Sequence, residues 1–164
     1  MLFNEPWLGR MSRPLNGKRI HRDMVDGITS PQIHTHTILL VDDDVETLDT
    51  WAKGLQDCSS QYTVLKADTV QSALDLCRKQ KMDCVVLDLD MDDASGFEVL
   101  LTLVPNRKHR EIAVVVLTRL ISPILHNMTV EYGAQACLVK QRTSPQLLDQ
   151  AIQTAIASTQ GHTG

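Results

Sequence analysis

The chain has 164 residues and a mass of 18.3 kDa, a length that predicts one domain with flanking segments. Its net charge of −4 argues against a general binder of nucleic acids or anionic membranes. No apolar run reaches the roughly 20 residues of a membrane span, and no charged-then-apolar leader pattern opens the chain. The cysteines lack C-x-x-C and zinc spacing, which favours reduced thiols in a cytoplasmic protein over secreted or zinc-ribbon classes: Cys58, Cys77, Cys84 and Cys137.

The first 36 residues differ in composition from the remainder. Prolines and glycines interrupt them, and no helical or strand periodicity lasts more than a few positions. They hold five Lys or Arg against three acidic residues, a charge of +2, which leaves −6 for the rest of the chain. We predict a mostly disordered basic arm over 1–36, a folded domain over 37–158 and a short tail over 159–164.

From Thr37 onward, short apolar runs alternate with amphipathic stretches, which is typical of a parallel sheet covered on both faces. Three runs have the unbroken hydrophobicity of strands buried on both sides. Two weaker runs, the second and the last, predict strands at or near the sheet edges. In chain order, the predicted strands are 38–41, 62–65, 84–87, 112–117 and 137–139.

Apolar residues at helical spacing lie between these runs, and two of them, Trp51 and Phe97, are predicted to be core side chains. The third helix is predicted to stop at Pro105, and each of the last two to begin with a serine N-cap followed by proline. The five alternating units predict a flavodoxin-like, doubly wound α/β sheet with strand order 2-1-3-4-5. The helices are predicted over 45–55, 70–77, 97–104, from 122 onward and over 144–156.

Polar residues follow four of the predicted strands, at the sheet edge where such folds bind ligands. Asp42–Asp44 follow the first strand and Asp88 the third, while Thr118 and Lys140 follow the fourth and fifth. Two carboxylates about 4 Å apart repel by roughly 4 kcal/mol at an effective dielectric near 20, so these acids require a cation or raised pKa values. Oxygen ligands in a partly hydrated site suit Mg²⁺. Asp44, directly before the first helix, is predicted to be its N-cap.

Four segments resemble, in order, the receiver domain of two-component response regulators, over about residues 37–158. Two intervals within them, from Gly96 to Thr118 and from Thr118 to Lys140, are both 22 residues long and match the family's usual spacing. The matching segments are Ile38–Asp44, Val85–Met91 with Gly96, Val116–Thr118 and Leu138–Lys140.

The resemblance implies that Asp88 is a phosphoacceptor. Its carboxylate would attack the phosphorus of a phosphohistidine on a sensor histidine kinase or a phosphotransfer protein and form an aspartyl phosphate. Asp42, Asp43 and Asp88 would hold Mg²⁺ together with the backbone carbonyl of Asp90.

The resemblance also implies roles for Lys140, which would pair with a phosphoryl oxygen, and for the Thr118 hydroxyl, which would donate a hydrogen bond to another. The domain would not be an enzyme beyond its own phosphorylation and dephosphorylation. Because only six residues follow the predicted domain, we expect a stand-alone regulator. It would act through a downstream protein target, or as a homodimer through its fourth helix, fifth strand and fifth helix, without a nucleic-acid or membrane partner.

Several positions depart from the family's pattern. Arg119 stands where a small residue is usual, and would either block the site or contact the phosphoryl group. Cys137 replaces an aromatic residue involved in switching, while Gln141 and Asp92 each replace a proline. These departures leave open a degenerate receiver that works as a phosphorylation-independent binding adapter. A third alternative is a haloacid dehalogenase-type phosphatase, since Leu87–Met91 resembles its Asp-x-Asp signature, although the chain lacks room for that family's cap.

Overall fold

The computed structural model describes residues 35–91, 96–104 and 112–160. The predictions for residues 1–34, for Asp92 and for a helix stop at Pro105 lie outside these ranges. Strands and helices alternate along the chain, and a short 3-10 turn, Lys140–Arg142, joins the last strand to the last helix. The elements are β1 His36–Val41, α1 Val45–Cys58, β2 Tyr62–Ala67, α2 Val70–Lys79, β3 Cys84–Leu87, α3 Gly96–Leu103, β4 Ala113–Thr118, α4 Pro123–Glu131, β5 Ala136–Val139 and α5 Pro145–Gln160.

The five strands form one parallel sheet in the order β2-β1-β3-β4-β5. This order confirms the predicted flavodoxin-like fold, and β2 and β5 lie at the sheet edges, as their weaker hydrophobicity indicated. Some ends differ from the prediction: β4 begins after Ile112 and includes Thr118, while α5 continues to Gln160. The limits of the domain at 37 and 158 remain a prediction.

Alternation of side chains along the central strands divides the core into two layers. In β1, Leu39 and Val41 belong to the layer that α2 and α3 cover, whereas Ile38 and Leu40 belong to the layer under α1 and α5. Every residue of β3 and β4 is buried. Because both faces of these strands are covered, neither face tolerates polar side chains, which explains the unbroken apolar runs in the sequence.

Side-chain caps lie at the starts of α1, α2, α4 and α5, and three of these caps were predicted from the sequence. The Asp44 carboxylate accepts backbone hydrogen bonds of 3.0 and 3.2 Å from the first turn of α1. The hydroxyls of Ser122 and Ser144 each accept one, of 3.3 and 3.2 Å, at the starts of α4 and α5. These contacts confirm all three predicted caps, and they satisfy N–H groups that have no partner inside the helix.

Gly96 begins α3 directly against the end of β3. A Cβ at this position would overlap the backbone carbonyl oxygen of Asp88 and lie 2.9 Å from the Cα of Leu89. Because a glycine has no Cβ, α3 can pack against the segment that carries Asp88. The close approach therefore positions that segment.

Replacing Gly96 with alanine is expected to lower the free energy of unfolding by about 3 kcal/mol, because overpacking costs about 1–3 kcal/mol or more and the obstacle here is backbone. Gly54→Ala is the matched control. Its added Cβ meets the ring of Pro145, 2.7 Å away, and its helix gains about 1 kcal/mol of propensity. Urea denaturation of the two variants measures the difference, and equal losses would contradict the backbone overlap.

Candidate functional site

The predicted site residues gather at the carboxyl edge of the sheet. Val41 and Leu87 are register partners in the parallel pair β1–β3, so the residues that follow them, Asp42 and Asp88, also lie side by side. The Asp88 N–H donates a 2.9 Å hydrogen bond to the Val41 carbonyl and extends this pairing. The end of a buried strand thus positions each of the two carboxylates.

Lys140, which follows the edge strand β5, contacts both of these carboxylates. Its Nζ lies 2.5 Å from Asp42 Oδ2 and 2.5 Å from Asp88 Oδ2. The side chains are withdrawn from solvent, with exposed fractions of 9% for Lys140, 6% for Asp42 and 0% for Asp88. Because one ammonium contacts both acids, it offsets the repulsion that two buried carboxylates would otherwise have.

The pKa of Asp42 reflects this environment. Burial raises it above the ordinary value, and the hydrogen bond and charge of Lys140 do not fully reverse that effect. The Asp44 N–H also donates a 3.1 Å hydrogen bond to Asp42 Oδ1 and favours the ionised form. The desolvation of Asp42 therefore outweighs its favourable contacts.

Both carboxylate oxygens of Asp88 have partners. Oδ2 accepts from Lys140, and Oδ1 accepts a 3.1 Å hydrogen bond from the Asp90 N–H. The contact to Lys140 ties the carboxylate to the end of β5, and the contact to Asp90 ties it to the loop after β3. Together they fix the orientation of the carboxylate. A buried, oriented carboxylate beside a cation is suited to act as a nucleophile.

Asp43 and Asp90, two further predicted metal ligands, line a hollow of about 240 Å³ with Asp44 and Arg119. Asp90 and Arg119 are exposed there, and Asp43 is half-buried. Within residues 35–91, 96–104 and 112–160, no three His, Cys, Asp or Glu side chains form a group that could hold a metal ion. The predicted ligands are thus divided between the contacts to Lys140 and the rim of this hollow.

Thr118 ends β4 and is fully buried. Its hydroxyl accepts a 3.2 Å hydrogen bond from the Leu120 N–H, so it connects the strand end to the loop before α4. A hollow of about 180 Å³ lies beside this loop, lined in part by Leu120 and Cys137. Burial raises the pKa of the Cys137 thiol. Sequence reasoning missed the Leu120 contact because a backbone donor leaves no signal in residue type.

Arg119 also lines a second hollow, of about 410 Å³, with Lys140, Gln141 and Trp51 among its other residues. Trp51 packs against the core layer under α1, which confirms its predicted core position. Its place beside the candidate site was missed by the sequence analysis. A sequence pattern that could have indicated this position is the spacing of Thr47 and Trp51. They are four residues apart on one face of α1, and both line this hollow.

A family model described as the response regulator receiver domain matches residues 38–153. The chain belongs to this family. Receiver domains are signalling domains of two-component systems and are typically not enzymes. They bind Mg²⁺ in general, and they interact with histidine kinases or phosphotransfer proteins and with downstream targets. None of the helices in the described part of the chain has the length and hydrophobicity that crossing a bilayer requires.

Individual proteins resemble this receiver domain over different extents. A probable cyclic di-GMP phosphodiesterase of Vibrio cholerae is 30% identical over 111 residues, 68% of this chain but only 24% of that protein. A receiver domain of a DNA-binding response regulator from Colwellia psychrerythraea has 25% identity and a TM-score of 0.67, covering 74% of this chain and 98% of that one. A Burkholderia pseudomallei response regulator, solved with a phosphorylated aspartic acid, calcium ion and citrate, has 26% identity and a TM-score of 0.63, covering 77% and 71%.

Substitution of Lys140 by methionine is expected to lower the free energy of unfolding by about 3 kcal/mol in metal-free buffer, since it leaves two buried carboxylates uncompensated. Lys66→Met is the matched control. Lys66 also lies 2.5 Å from a carboxylate, that of Asp49, but their side chains are 45% and 62% exposed. An exposed pair contributes less than about 1 kcal/mol. Denaturant titration compares the two variants, and similar losses would contradict a role for burial.

The raised pKa of Asp42 predicts a pH dependence of stability. The pKa of Asp42 is higher in the folded chain than in the unfolded chain, so this carboxyl binds a proton more tightly when the chain is folded. Wild type is therefore expected to gain stability relative to Asp42→Asn as the pH falls through the folded pKa toward 3.8, the ordinary value. Asp44→Asn is the control, because the pKa of Asp44 is shifted in the opposite direction. Hydrogen bonds from Thr47 lower the pKa of Asp44, so the advantage of wild type over that variant is lost as pH falls. Urea denaturation between pH 3.5 and pH 7 measures both, and parallel pH profiles would contradict the assignment.

Proposed function

We propose that this receiver domain accepts a phosphoryl group on Asp88 in a Mg²⁺-dependent reaction and then signals by binding another protein. The observation that carries the proposal is the contact of Lys140 with both Asp42 and Asp88 at the carboxyl edge of the sheet. Burying two acids and a lysine together is costly and does little for stability compared with apolar packing. Such a cluster is therefore best explained by the chemistry that it supports.

In the proposed reaction, a carboxylate oxygen of Asp88 attacks the phosphorus of the donor and forms an O–P bond. The bond from phosphorus to the leaving group breaks, and its electron pair departs with that group. The leaving group is the imidazole of a phosphohistidine, which takes a proton from water, or the carboxylate of a small acyl phosphate. The attacking carboxylate transfers no proton in this step, and the product is an aspartyl phosphate.

Lys140 and Thr118 would stabilise the transferred group. The Lys140 ammonium already contacts Asp88 Oδ2, so a small shift of its Nζ would bring it to a phosphoryl oxygen. The Thr118 hydroxyl accepts a hydrogen bond from the Leu120 N–H, which leaves its own proton to donate to another oxygen. Both groups are held at strand ends, which limits their reorganisation during transfer.

The proposed Mg²⁺ ligands are Asp42, Asp43, Asp88 and the backbone carbonyl of Asp90, and this set fits a hard cation because every donor is oxygen. When bound, the ion neutralises charge on the phosphoryl oxygens. Asp42 and Asp88 each give one oxygen to Lys140, so the ammonium and the ion compete for these two carboxylates. Binding would therefore be linked to the position of Lys140.

We further propose that the partners are a sensor histidine kinase or a phosphotransfer protein and a downstream target, in the cytoplasm. The exposed apolar side chains of α4 support a docking role for the face formed by α4, β5 and α5. Ile124 is 73% exposed and Met128 is 38% exposed. The same face would serve in a homodimer.

Incubation with Mg²⁺ and acetyl phosphate, followed by intact-mass spectrometry, tests the proposal. Wild type is expected to gain one phosphoryl adduct that requires Mg²⁺, and Asp88→Asn is expected to gain none. Asp57→Asn is the matched control, because Asp57 is an exposed acid in the last turn of α1, at the end of that helix opposite Asp44 and the site. No adduct on wild type would instead favour the binding adapter, while turnover of a phosphomonoester would favour the phosphatase.

A further inference from the structure

Arg119 is a cation at the mouth of the site that none of these roles uses. It follows β4, is exposed, and lines both the hollow that contains Asp43 and Asp90 and the hollow that contains Lys140. Within the described ranges, no carboxylate oxygen lies within the 4.0 Å ion-pair distance of its guanidinium. Among the described residues, no carboxylate therefore competes at ion-pair distance with an incoming anion for this guanidinium.

Asp44, a carboxylate that lines the same hollow, does not hold this guanidinium. Attraction by Arg119 contributes to the lowered pKa of Asp44, but it is the smallest of the causes. Both oxygens of that carboxylate already accept hydrogen bonds from the first turn of α1, including one from the Thr47 hydroxyl of 2.8 Å. Arg119 thus acts on the rim of the site through its charge.

Lys140 contrasts with Arg119 in exposure and in partners. It is 9% exposed and contacts two carboxylates, so it faces inward before any donor arrives. A dianionic phosphoryl group that approaches from solvent meets both the acids of this rim, which repel it, and Arg119, which attracts it. In the described part of the chain, the charge of Arg119 is the feature of this rim that favours entry.

We propose that Arg119 is a donor-binding residue, which captures the dianionic phosphoryl group of the donor and presents it to Asp88. This inference rests on the proposed function, since it concerns the substrate of the same site. A guanidinium carries a planar fork of N–H donors that can bind two oxygens of one phosphoryl group, which suits it to this task better than a point charge. The site then selects donors whose phosphoryl group carries two negative charges.

Kinetics of phosphoryl incorporation test this role, with acetyl phosphate varied at saturating Mg²⁺. Arg119→Met is expected to raise the half-saturating donor concentration about five- to tenfold, the effect of losing a charge-assisted contact, with little change in the maximum rate. Arg119→Lys is expected to recover part of the loss, because it restores the charge but not the paired donors of the guanidinium. Arg78→Met is the matched control, since Arg78 is exposed on α2 and pairs with Asp75 away from the site.

The sign of the effect separates capture from obstruction. Faster or unchanged incorporation by Arg119→Met would overturn the inference and leave the proposed function intact. A loss confined to the maximum rate, or one that Arg119→Lys does not recover, would also overturn it, because a structural role gives that pattern.

A second measurement decides the inference without any chemical step. Inorganic phosphate is titrated into the labelled protein, and the backbone amide signals of Arg119 and Leu120 are followed by NMR. We expect saturable shifts with an apparent Kd that Arg119→Met raises about fivefold. If wild type takes up no phosphoryl group, the proposed function fails. An unchanged phosphate Kd would then overturn anion capture, and a raised one would support it.

Discussion

The contact of Lys140 with Asp42 and Asp88 is the interaction on which the rest of this structure depends. It links the ends of three strands, β1, β3 and β5, through one ammonium. Because β1 and β3 are apolar and end in buried residues, the acids that follow them are poorly solvated and repel each other strongly. The ammonium makes the arrangement possible, and the raised pKa of Asp42 shows that the cost of burial is only partly offset.

The site has a buried inner part and an exposed outer part. The inner part holds the carboxylate of Asp88 in a fixed orientation, whereas the outer part, with Asp90 and Arg119, is exposed to solvent. A nucleophile benefits from rigid positioning, and a rim that admits a large donor protein needs exposed, adaptable side chains. This division would allow one sheet edge to combine the proposed reaction centre with an accessible entrance.

The loop after β4 connects the two parts. The Thr118 hydroxyl is bonded to the Leu120 N–H, and Arg119 lies between these residues. A new bond from this hydroxyl to a phosphoryl oxygen would therefore act on the loop and on the hollow beside Cys137. Because a half-buried cysteine lines that hollow, the proposed signal would not depend on an aromatic side chain there.

The amino-acid sequence by itself determined the fold, its strand order and, to within one residue, where the strands that carry the candidate site end. Runs buried on both faces, weaker edge strands and serine or aspartate caps are local patterns with direct physical causes, and the structure matches them. Only the tertiary structure decided that Lys140 contacts Asp42, 98 residues away, and that Trp51 and Arg119 line one hollow. Such contacts depend on how loops bring distant side chains together and on their burial, which local sequence patterns do not specify.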